Sequence, residues 1–360
     1  MKLHTLVRPL LVASAAVSLS AGAQPAAQKP TPEGVATAAQ NVIIDRALLT
    51  AFKALPNRFE DAKNPITSEK VELGRMLYFD NRLSKNQDIS CNSCHDLNTF
   101  GVDNKATSTG HKKQLGGRNS PTVYNAGGHT TQFWDGRAAT LEEQAKGPIL
   151  NPVEMAMPSA EHVVETLKTI PGYVTAFQKS FPGEADPVTY ENLAKAIGAF
   201  ERQLVTPSRF DKYLGGDDKA LTQAEKAGLK TFLEQGCQTC HYGPALGGSL
   251  QKLGLVVPYQ AKDQGRFDLT RREADRMVFR VPTLRNVAKT GPWFHDGSIT
   301  ELQTAVKLMA QHQLGKQLTD GDAQNIIAFL DSLTGELPKA YIAKPKLPAN
   351  GPKTPKPDPT

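Results

Sequence analysis

The chain has 360 residues, of which 39% are hydrophobic and 22% are charged, the proportions of a soluble globular protein long enough for two or three domains. Its formal net charge of +6 lies mostly in the first residues and in the tail from Ala343, so the body of the chain is close to neutral. A nucleic-acid-binding protein carries its positive charge as a patch on the folded domain, and the charge distribution therefore argues against that class.

Residues 1–23 have the pattern of a secretory signal peptide. Lys2 and Arg8 precede the apolar run PLLVASAAVSLS, which is too short to span a membrane, and AGA then offers small residues for cleavage near Ala23. A retained membrane anchor is the alternative interpretation of this segment. No later run is long and apolar enough to cross a bilayer, so we expect an exported protein that does not span a membrane, with a flexible stretch over residues 24–44.

A five-residue unit occurs twice, as CNSCH from Cys91 and as CQTCH from Cys237, and the two copies contain every cysteine of the chain. Four cysteines in an exported protein usually indicate two disulfides. Here the cysteines of each pair are separated by two residues and followed at once by histidine, which is the attachment motif of c-type haem. The sequence predicts two covalently bound haem c groups, attached at Cys91, Cys94, Cys237 and Cys240, with His95 and His241 as iron ligands.

Two other uses of a C-x-x-C motif fit the sequence less well. A thioredoxin-like redox pair needs one such motif on a βαβ unit, and no alternation of strand and helix patterns surrounds either copy. A single zinc ion bound by all four cysteines would leave both motif histidines unexplained, and it would need segments 146 residues apart to meet. Haem attachment is therefore the preferred interpretation.

The residues downstream of the two motifs are also alike. RNSPTVYNA from Arg118 and FWDGRAATLEEQA from Phe133 follow the first copy, while RVPTLRNVA from Arg280 and FHDGSITELQTA from Phe294 follow the second. Their matching positions keep a constant offset of 161 residues. This pattern predicts an internal duplication, with the extra residues of the second half in the polar stretch 251–277.

A helical pattern precedes each motif, in SEKVELGRMLYF from Ser68 and in TQAEKAGLKTFLEQG from Thr222. Thr222 and Glu225 form a capping box, and Gly236 is the expected end of that helix. Strand patterns are scarce. Further helices are predicted over residues 160–169, 189–204, 300–311 and 319–333.

These patterns predict a mainly α fold of two tandem c-type cytochrome-like haem domains, related by internal duplication and wrapped by long loops. Each of the two domains would carry one haem. The tail is rich in Pro and Lys and is predicted to be disordered. The predicted boundaries are 1–23 for the signal, 24–44 for the flexible segment, 45–205 and 206–340 for the haem domains, and 341–360 for the tail.

The sixth ligand of each iron decides between electron transfer and catalysis, because a haem that reacts with a small molecule needs an open or openable position. Spacing alone leaves several candidates, since an isolated His or Met is more often a packing or surface residue than a ligand. For the first haem they are His111, His129, His162, Met155 and Met157, and for the second His295, His312, Met277 and Met309.

Seven collinear segments form a longer ordered pattern that covers nearly the whole chain from about residue 45 to 337. They are ELGRMLYFDNRLS, SCNSCH, GHKKQLGGRNSPTVYNA, QFWDGRAATLEEQAKGPILNPVEM, GRFDLT, VFRVPTLRNVAKTGPWFHDG and LMAQHQLGKQL. In this order they resemble the bacterial di-haem cytochrome c peroxidase family. The resemblance implies a periplasmic enzyme that forms a homodimer.

The resemblance also implies roles for particular residues. His111 would be the sixth ligand of the first haem in the resting enzyme and would leave the iron when the second haem is reduced. Met309 would be the sixth ligand of the second haem. The first domain would then carry the peroxidatic, low-potential haem, and the second domain would carry the electron-transfer, high-potential haem. Gln144 and Glu154 would line the vacated distal pocket, and Trp134 would lie between the haems on the electron path.

A calcium ion at the domain interface is a further implication of the resemblance. Asn119 would bind this ion together with backbone oxygens of Thr290 and Pro292. The sequence contains no EF-hand loop, and an ion bound through backbone oxygens leaves no carboxylate pattern to find.

Two unequal haems suit the reduction of hydrogen peroxide. Methionine opposite histidine raises the potential of a haem, so the second haem would store an electron for the first. A carboxylate such as Glu154 can move a proton between the two oxygens of peroxide, and Gln144 can orient the molecule. We therefore predict a cytochrome-c peroxidase that takes electrons from a small c-type cytochrome or cupredoxin.

Two other functions are kept as hypotheses. Related di-haem enzymes that mature a tryptophan-derived quinone cofactor oxidise residues of another protein, but they have Tyr in place of the Met ligand, so Met309 argues against this function. A pure electron-transfer cytochrome would keep both irons permanently six-coordinate, and Glu154 and Gln144 argue for more than that.

Overall fold

The computed structural model describes Met1 and residues 42–360. The chain divides into two units, Met1–Gln40 and Asn41–Thr360. The predicted signal peptide and most of the flexible segment after it lie outside the described residues, and the second unit is the subject below. Within the described part of the chain, every helix is too short or too polar to cross a membrane.

The second unit is mainly helical, as the sequence predicts, and each of the helices expected from sequence patterns is present. One small antiparallel sheet joins β1 (Leu250–Lys252) to β2 (Val278–Arg280), with Gln251 opposite Phe279. The α-helices are α1 (Ser68–Tyr78), α2 (Cys91–Cys94), α3 (Leu141–Leu150), α4 (Ala160–Lys168), α5 (Pro171–Ser180), α6 (Tyr190–Glu201), α7 (Arg209–Leu214), α8 (Gln223–Gln235), α9 (Phe267–Thr270), α10 (Leu302–Leu314) and α11 (Asp320–Ser332).

Local sequence explains where two of these helices begin and end. Thr222 and Glu225 form the predicted capping box of α8, and Gly236 ends that helix with a φ of 92°, which glycine adopts without steric cost. Thr319 and Asp322 cap the start of α11 in the same way. Short 3₁₀ turns lie at Arg46–Ala51, Asn81–Leu83, Leu97–Thr99, His111–Lys113, Ala126–Gly128, Cys237–Thr239, Glu273–Asp275 and Val287–Lys289.

The helices pack as two groups. In the first, α1 crosses α6 with α3 and α5 beside them, and in the second, α8 crosses α11 with α10 alongside. A glycine allows each close crossing. A Cβ on Gly74 would lie 1.9 Å from the backbone oxygen of Ala196 in α6, and one on Gly228 would lie 1.9 Å from that of Asn325 in α11.

The loops that follow the two cysteine motifs share an uncommon backbone conformation. Asn125 and Asn286 have φ values of 60° and 62°, and Phe133 and Phe294 have values of 63° and 70°, in the left-handed region that non-glycine residues seldom occupy. Both asparagine side chains donate to the hydroxyl of Thr206, at 2.8 and 2.9 Å. The segments that are alike in sequence are therefore also alike in backbone conformation at these turns.

Residues 341–360 differ from the predicted disordered tail, because they pack along the first group of helices. Ile342 is 2% exposed and lies in an apolar cluster with Tyr78 and Phe200. Nη1 of Arg82 donates to the backbone oxygen of Pro348 at 2.9 Å. Disorder was predicted because the tail is rich in Pro and Lys, whereas one buried isoleucine and several backbone acceptors hold it in place.

Replacing Ile342 with alanine is expected to lower the free energy of unfolding by about 2–5 kcal/mol, the usual cost of a cavity at a buried isoleucine. Denaturant unfolding of the full-length protein measures this change. Leu255→Ala is the matched control, since Leu255 is 60% exposed and should change stability by less than about 0.5 kcal/mol. Equal effects of the two changes would contradict the packed position of the tail.

Candidate active site

The first cysteine motif lies in the wall of a large cavity. Cys91, Cys94 and His95 line a space of about 550 Å³, a size typical of cofactor pockets, and both thiols are free. Nδ1 of His95 lies 2.9 Å from the backbone oxygen of Pro121. Because that oxygen can only accept, Nδ1 donates, and Nε2 keeps its lone pair for a metal. Burial lowers the pKa of His95, which favours the neutral, metal-binding imidazole.

The second motif lines a cavity of its own, of about 180 Å³, and Met309 from α10 lies in the same wall. Nδ1 of His241 is 3.1 Å from the backbone oxygen of Leu246, so the second motif histidine also has Nε2 free. Burial lowers the pKa of His241 to about 4. The histidine and methionine predicted to bind the second iron therefore share one cavity.

Arg280 is a buried cation in the walls of both cavities, and it is a further feature that suits the binding of haem. Arg280 lines both cavities, is 2% exposed and forms no ion pair with any residue from 42 to 360. Its Nε donates to the backbone oxygen of Phe133 at 3.1 Å, and burial lowers the pKa of Arg280 to about 10. A buried charge without a counter-ion is costly, and the carboxylates of a haem would supply one.

Glu154 and Gln144 both line the first cavity, where the family resemblance places them. Glu154 lies in a turn just after α3, and its Oε1 accepts from Nδ2 of Asn151 at 3.0 Å. Burial raises the pKa of the Glu154 carboxyl, while Arg137 and Asn151 oppose that shift. The wall of this cavity thus contains an acid with an increased affinity for protons and an amide that can donate or accept hydrogen bonds.

His111 is joined to Glu154 but does not line the cavity. Its backbone N–H donates to the backbone oxygen of Glu154 at 2.8 Å, and its buried imidazole places Nε2 3.3 Å from the backbone oxygen of Thr360. Of the other residues considered for the first iron, His129 and Met155 do line the cavity. The ligand role of His111 stays a prediction.

Trp134 lies in the walls of both cavities. Its Nε1 donates to the backbone oxygen of Asn119 at 2.8 Å, and its ring centroid is 6.5 Å from that of His295. Trp134 therefore lies between the two cavities, and its role on the electron path stays a prediction.

The structure brings Asn119 close to the loop that contains Thr290 and Pro292. The backbone N–H of Asn119 donates to the backbone oxygen of His295 at 2.8 Å, three residues beyond Pro292. The Thr290 hydroxyl instead contacts the backbone oxygen of Val287 at 3.4 Å. No group of three or more His, Cys, Asp or Glu suited to a metal ion occurs among the residues that the structure describes. The calcium site therefore stays a prediction.

Sequence reasoning missed an ionic network at the first cavity. Arg118 binds Asp135 through Nη1 at 2.7 Å and Asp263 through Nε at 2.6 Å, and both Arg118 and Asp263 line the cavity. Asp135 matches Asp296 at the repeat offset of 161 residues, which is a signal that could have identified it. Arg118 has Phe279 at that offset, so the repeat did not indicate it. Asp263 lies in the polar stretch without a counterpart in the first half, so no pattern indicated it.

Comparison with known proteins agrees with this geometry. Residues 68–219 match the family model described as di-haem cytochrome c peroxidase. The chain is 49% identical over 314 residues to the cytochrome c551 peroxidase of Pseudomonas aeruginosa, covering 85% of this chain and 90% of that protein. It is 48% identical over 303 residues to the cytochrome c551 peroxidase of Nitrosomonas europaea, covering 83% and 89% of the two chains.

The fold is also found in a solved structure. A MauG-like protein associated with microbial copper homeostasis aligns with a TM-score of 0.72 at 28% identity, covering 81% of this chain and 97% of that chain. The sequence motifs, the two cavities and these relatives agree with one another. The chain therefore belongs to the di-haem cytochrome c peroxidase family, as its sequence predicts, and its enzyme class is that of an oxidoreductase acting on peroxide.

Proposed function

We propose that this protein reduces hydrogen peroxide to water at its first haem site, with electrons that its second haem site receives from a small c-type cytochrome or cupredoxin. One observation carries the proposal. The half-buried carboxyl of Glu154, the amide of Gln144 and the first cysteine motif all line a single cavity.

The first site needs both a cofactor and a proton shuttle. A haem attached at Cys91 and Cys94 would supply the iron position for peroxide and the electrons that cleave its O–O bond. Glu154 would accept the proton of one peroxide oxygen and donate it to the other, and its raised pKa helps the carboxyl to hold that proton during the transfer. Gln144 would orient peroxide by a hydrogen bond.

The second site would relay electrons. Histidine and methionine together raise a haem potential, so His241 and Met309 would make this site the acceptor of electrons from the carrier protein. Trp134, which lies in both cavity walls, would provide the path between the two haems. In this proposal His111 binds the first iron in the resting enzyme and leaves it once the second haem is reduced.

The wider organisation of the chain is also part of the proposal. The two haem domains, over 45–205 and 206–340, would descend from one duplicated unit, and the paired conformations of Asn125 and Asn286 support this origin. The N-terminal signal pattern supports a periplasmic location, and the family resemblance supports a homodimer.

Steady-state oxidation of a reduced c-type cytochrome by hydrogen peroxide tests the proposal. The purified holoprotein is assayed both fully oxidised and after reduction of its second haem. We expect turnover that is faster in the half-reduced state. An absence of turnover in both states would overturn the proposed function.

Removal of calcium is expected to lower turnover of the half-reduced enzyme severalfold, because the ion would connect the loop of Asn119 to the loop of Thr290 and Pro292 between the haem cavities. EGTA treatment followed by the cytochrome assay measures the loss, and calcium but not magnesium should restore activity. Full activity in protein shown by metal analysis to be free of calcium would contradict this site.

A further inference from the structure

Glu201 is a buried acid in the wall of the first haem cavity, and no step described above uses it. It is the last residue of α6, it is 5% exposed, and it lines the cavity together with Cys91 and Ile197. No residue in the described part of the chain donates a hydrogen bond to its carboxyl. An ionised carboxylate in such a place is costly unless a cation or donor compensates it.

The cation next to Glu201 is already engaged by other acids. The Arg202 guanidinium binds Glu142 through both Nη1 and Nη2, the latter at 3.0 Å, and it binds Asp61 at 2.9 Å. Asn64 also donates to Glu142, at 2.8 Å. Three carboxyl groups therefore lie near one guanidinium, and Glu201 is the one without a partner.

The other titratable groups that face Glu201 do not supply a donor either. The Tyr78 hydroxyl of α1 donates to the backbone oxygen of His95 at 2.7 Å, and the Tyr341 hydroxyl of the tail donates to that of Phe200 at 2.8 Å. The remaining neighbour is the thiol of Cys91, which haem attachment would consume. Burial, with a further contribution from Glu142, raises the pKa of Glu201 to about 8, and the nearby charge of Arg202 only partly opposes this shift.

We propose that Glu201 is a proton-uptake residue of the first haem cavity, whose carboxylate binds one proton from water when an electron enters the cavity and releases it when the electron leaves. Added negative charge in a medium of low dielectric constant raises the proton affinity of a nearby acid. One proton taken up with one electron leaves the net charge of the cavity unchanged. Glu201 acts on the potential of the haem, whereas Glu154 handles the proton of peroxide itself.

This inference rests on the proposed attachment of a haem at Cys91 and Cys94, and its test is a redox titration of the first haem in the holoprotein at a series of pH values around 8. In the unmodified protein we expect the midpoint potential to fall as pH rises, with a slope approaching one proton per electron. Glu201→Gln should flatten that slope. Glu191→Gln, a change of an exposed carboxylate on the same helix, should leave it as it was.

A second readout observes the proton directly. Infrared difference spectra on reduction should show the carbonyl stretch of a newly protonated carboxyl, and Glu201→Gln should lack that signal. If this variant fails to fold, Glu201→Asp keeps a carboxyl and should retain a pH-dependent potential with an altered pH range. Equal slopes in the unmodified protein and in Glu201→Gln would overturn the role of Glu201.

The proposed haem site and the proposed role of Glu201 can be disproved separately. Protein without covalently bound haem at Cys91 and Cys94 would contradict the proposed site itself. Protein that carries both haems and turns over peroxide, but whose first haem has the same potential at every pH in this range, would contradict only the role of Glu201.

Discussion

Replacing Glu154 with glutamine is expected to lower kcat for hydrogen peroxide by about 10²- to 10⁴-fold, the range typical of losing a general acid–base group. Glutamine keeps the shape of the side chain and an oxygen that can accept from Asn151, but it cannot take up and return a proton. The backbone oxygen of residue 154 would still accept from His111. Steady-state assays with reduced c-type cytochrome measure the loss, and optical spectra check that both haems remain attached.

Glu143→Gln is the matched control for this change. Glu143 also belongs to the α3 region, but its side chain is 54% exposed and pairs with Lys146 on the surface, so its loss should leave kcat nearly unchanged. If Glu154→Gln kept the kcat of the unmodified enzyme, the proton shuttle would have to be another group in the cavity.

Replacing Met309 with histidine is expected to lower the potential of the second haem strongly and to reduce turnover with a cytochrome donor by at least about 100-fold. The axial ligand is the main determinant of haem potential, and exchanging methionine for histidine favours the oxidised iron. The carrier protein would then no longer reduce the second haem. A redox titration and the cytochrome assay, made on the same preparation, measure both effects.

The first site supplies the control for the Met309 variant, since Glu154 and Gln144 are unchanged in it. Turnover should return when a low-potential dye replaces the cytochrome as the electron donor. If the variant stays inactive with the dye, the substitution has damaged another part of the enzyme in addition to lowering the potential of the second haem. A variant with unchanged potential would show that Met309 does not bind the second iron.

Local signals in the sequence account for the helices that were predicted correctly. The capping box of α8 and the glycine that ends it act within a few residues of the helix ends, so they can be recognised without the fold. The short helices α2, α7 and α9 were not predicted. Of the longer helices, α3 and α5 escaped prediction because the proline in each occupies a position that a helix tolerates. Pro171 begins α5, where its missing N–H would have no partner in any case, and Pro148 lies near the end of α3.

In the candidate site, too, some residues could be identified from the sequence and others only from the structure. Cys91, Cys94 and His95 were identified from sequence because haem attachment needs those residue types at a fixed short spacing. Glu154 and Met309 came from the ordered match to the family, and the structure places each beside its cysteine motif. The packed tail and Asp263 had no such signal, since neither belongs to a repeated or covalently defined pattern.

By itself, the sequence determined the family and the main helices and predicted the sites of haem attachment, because each depends on residues that are adjacent or regularly spaced in the chain. Only the tertiary structure decided which charges remain uncompensated. Glu201 lacks a partner because Arg202 is held by Glu142 and Asp61, which lie 60 and 141 residues away in sequence. Burial and charge pairing are properties of groups that folding brings together. The CNSCH motif therefore comes to share a cavity with Glu154 and Glu201 only in the folded protein.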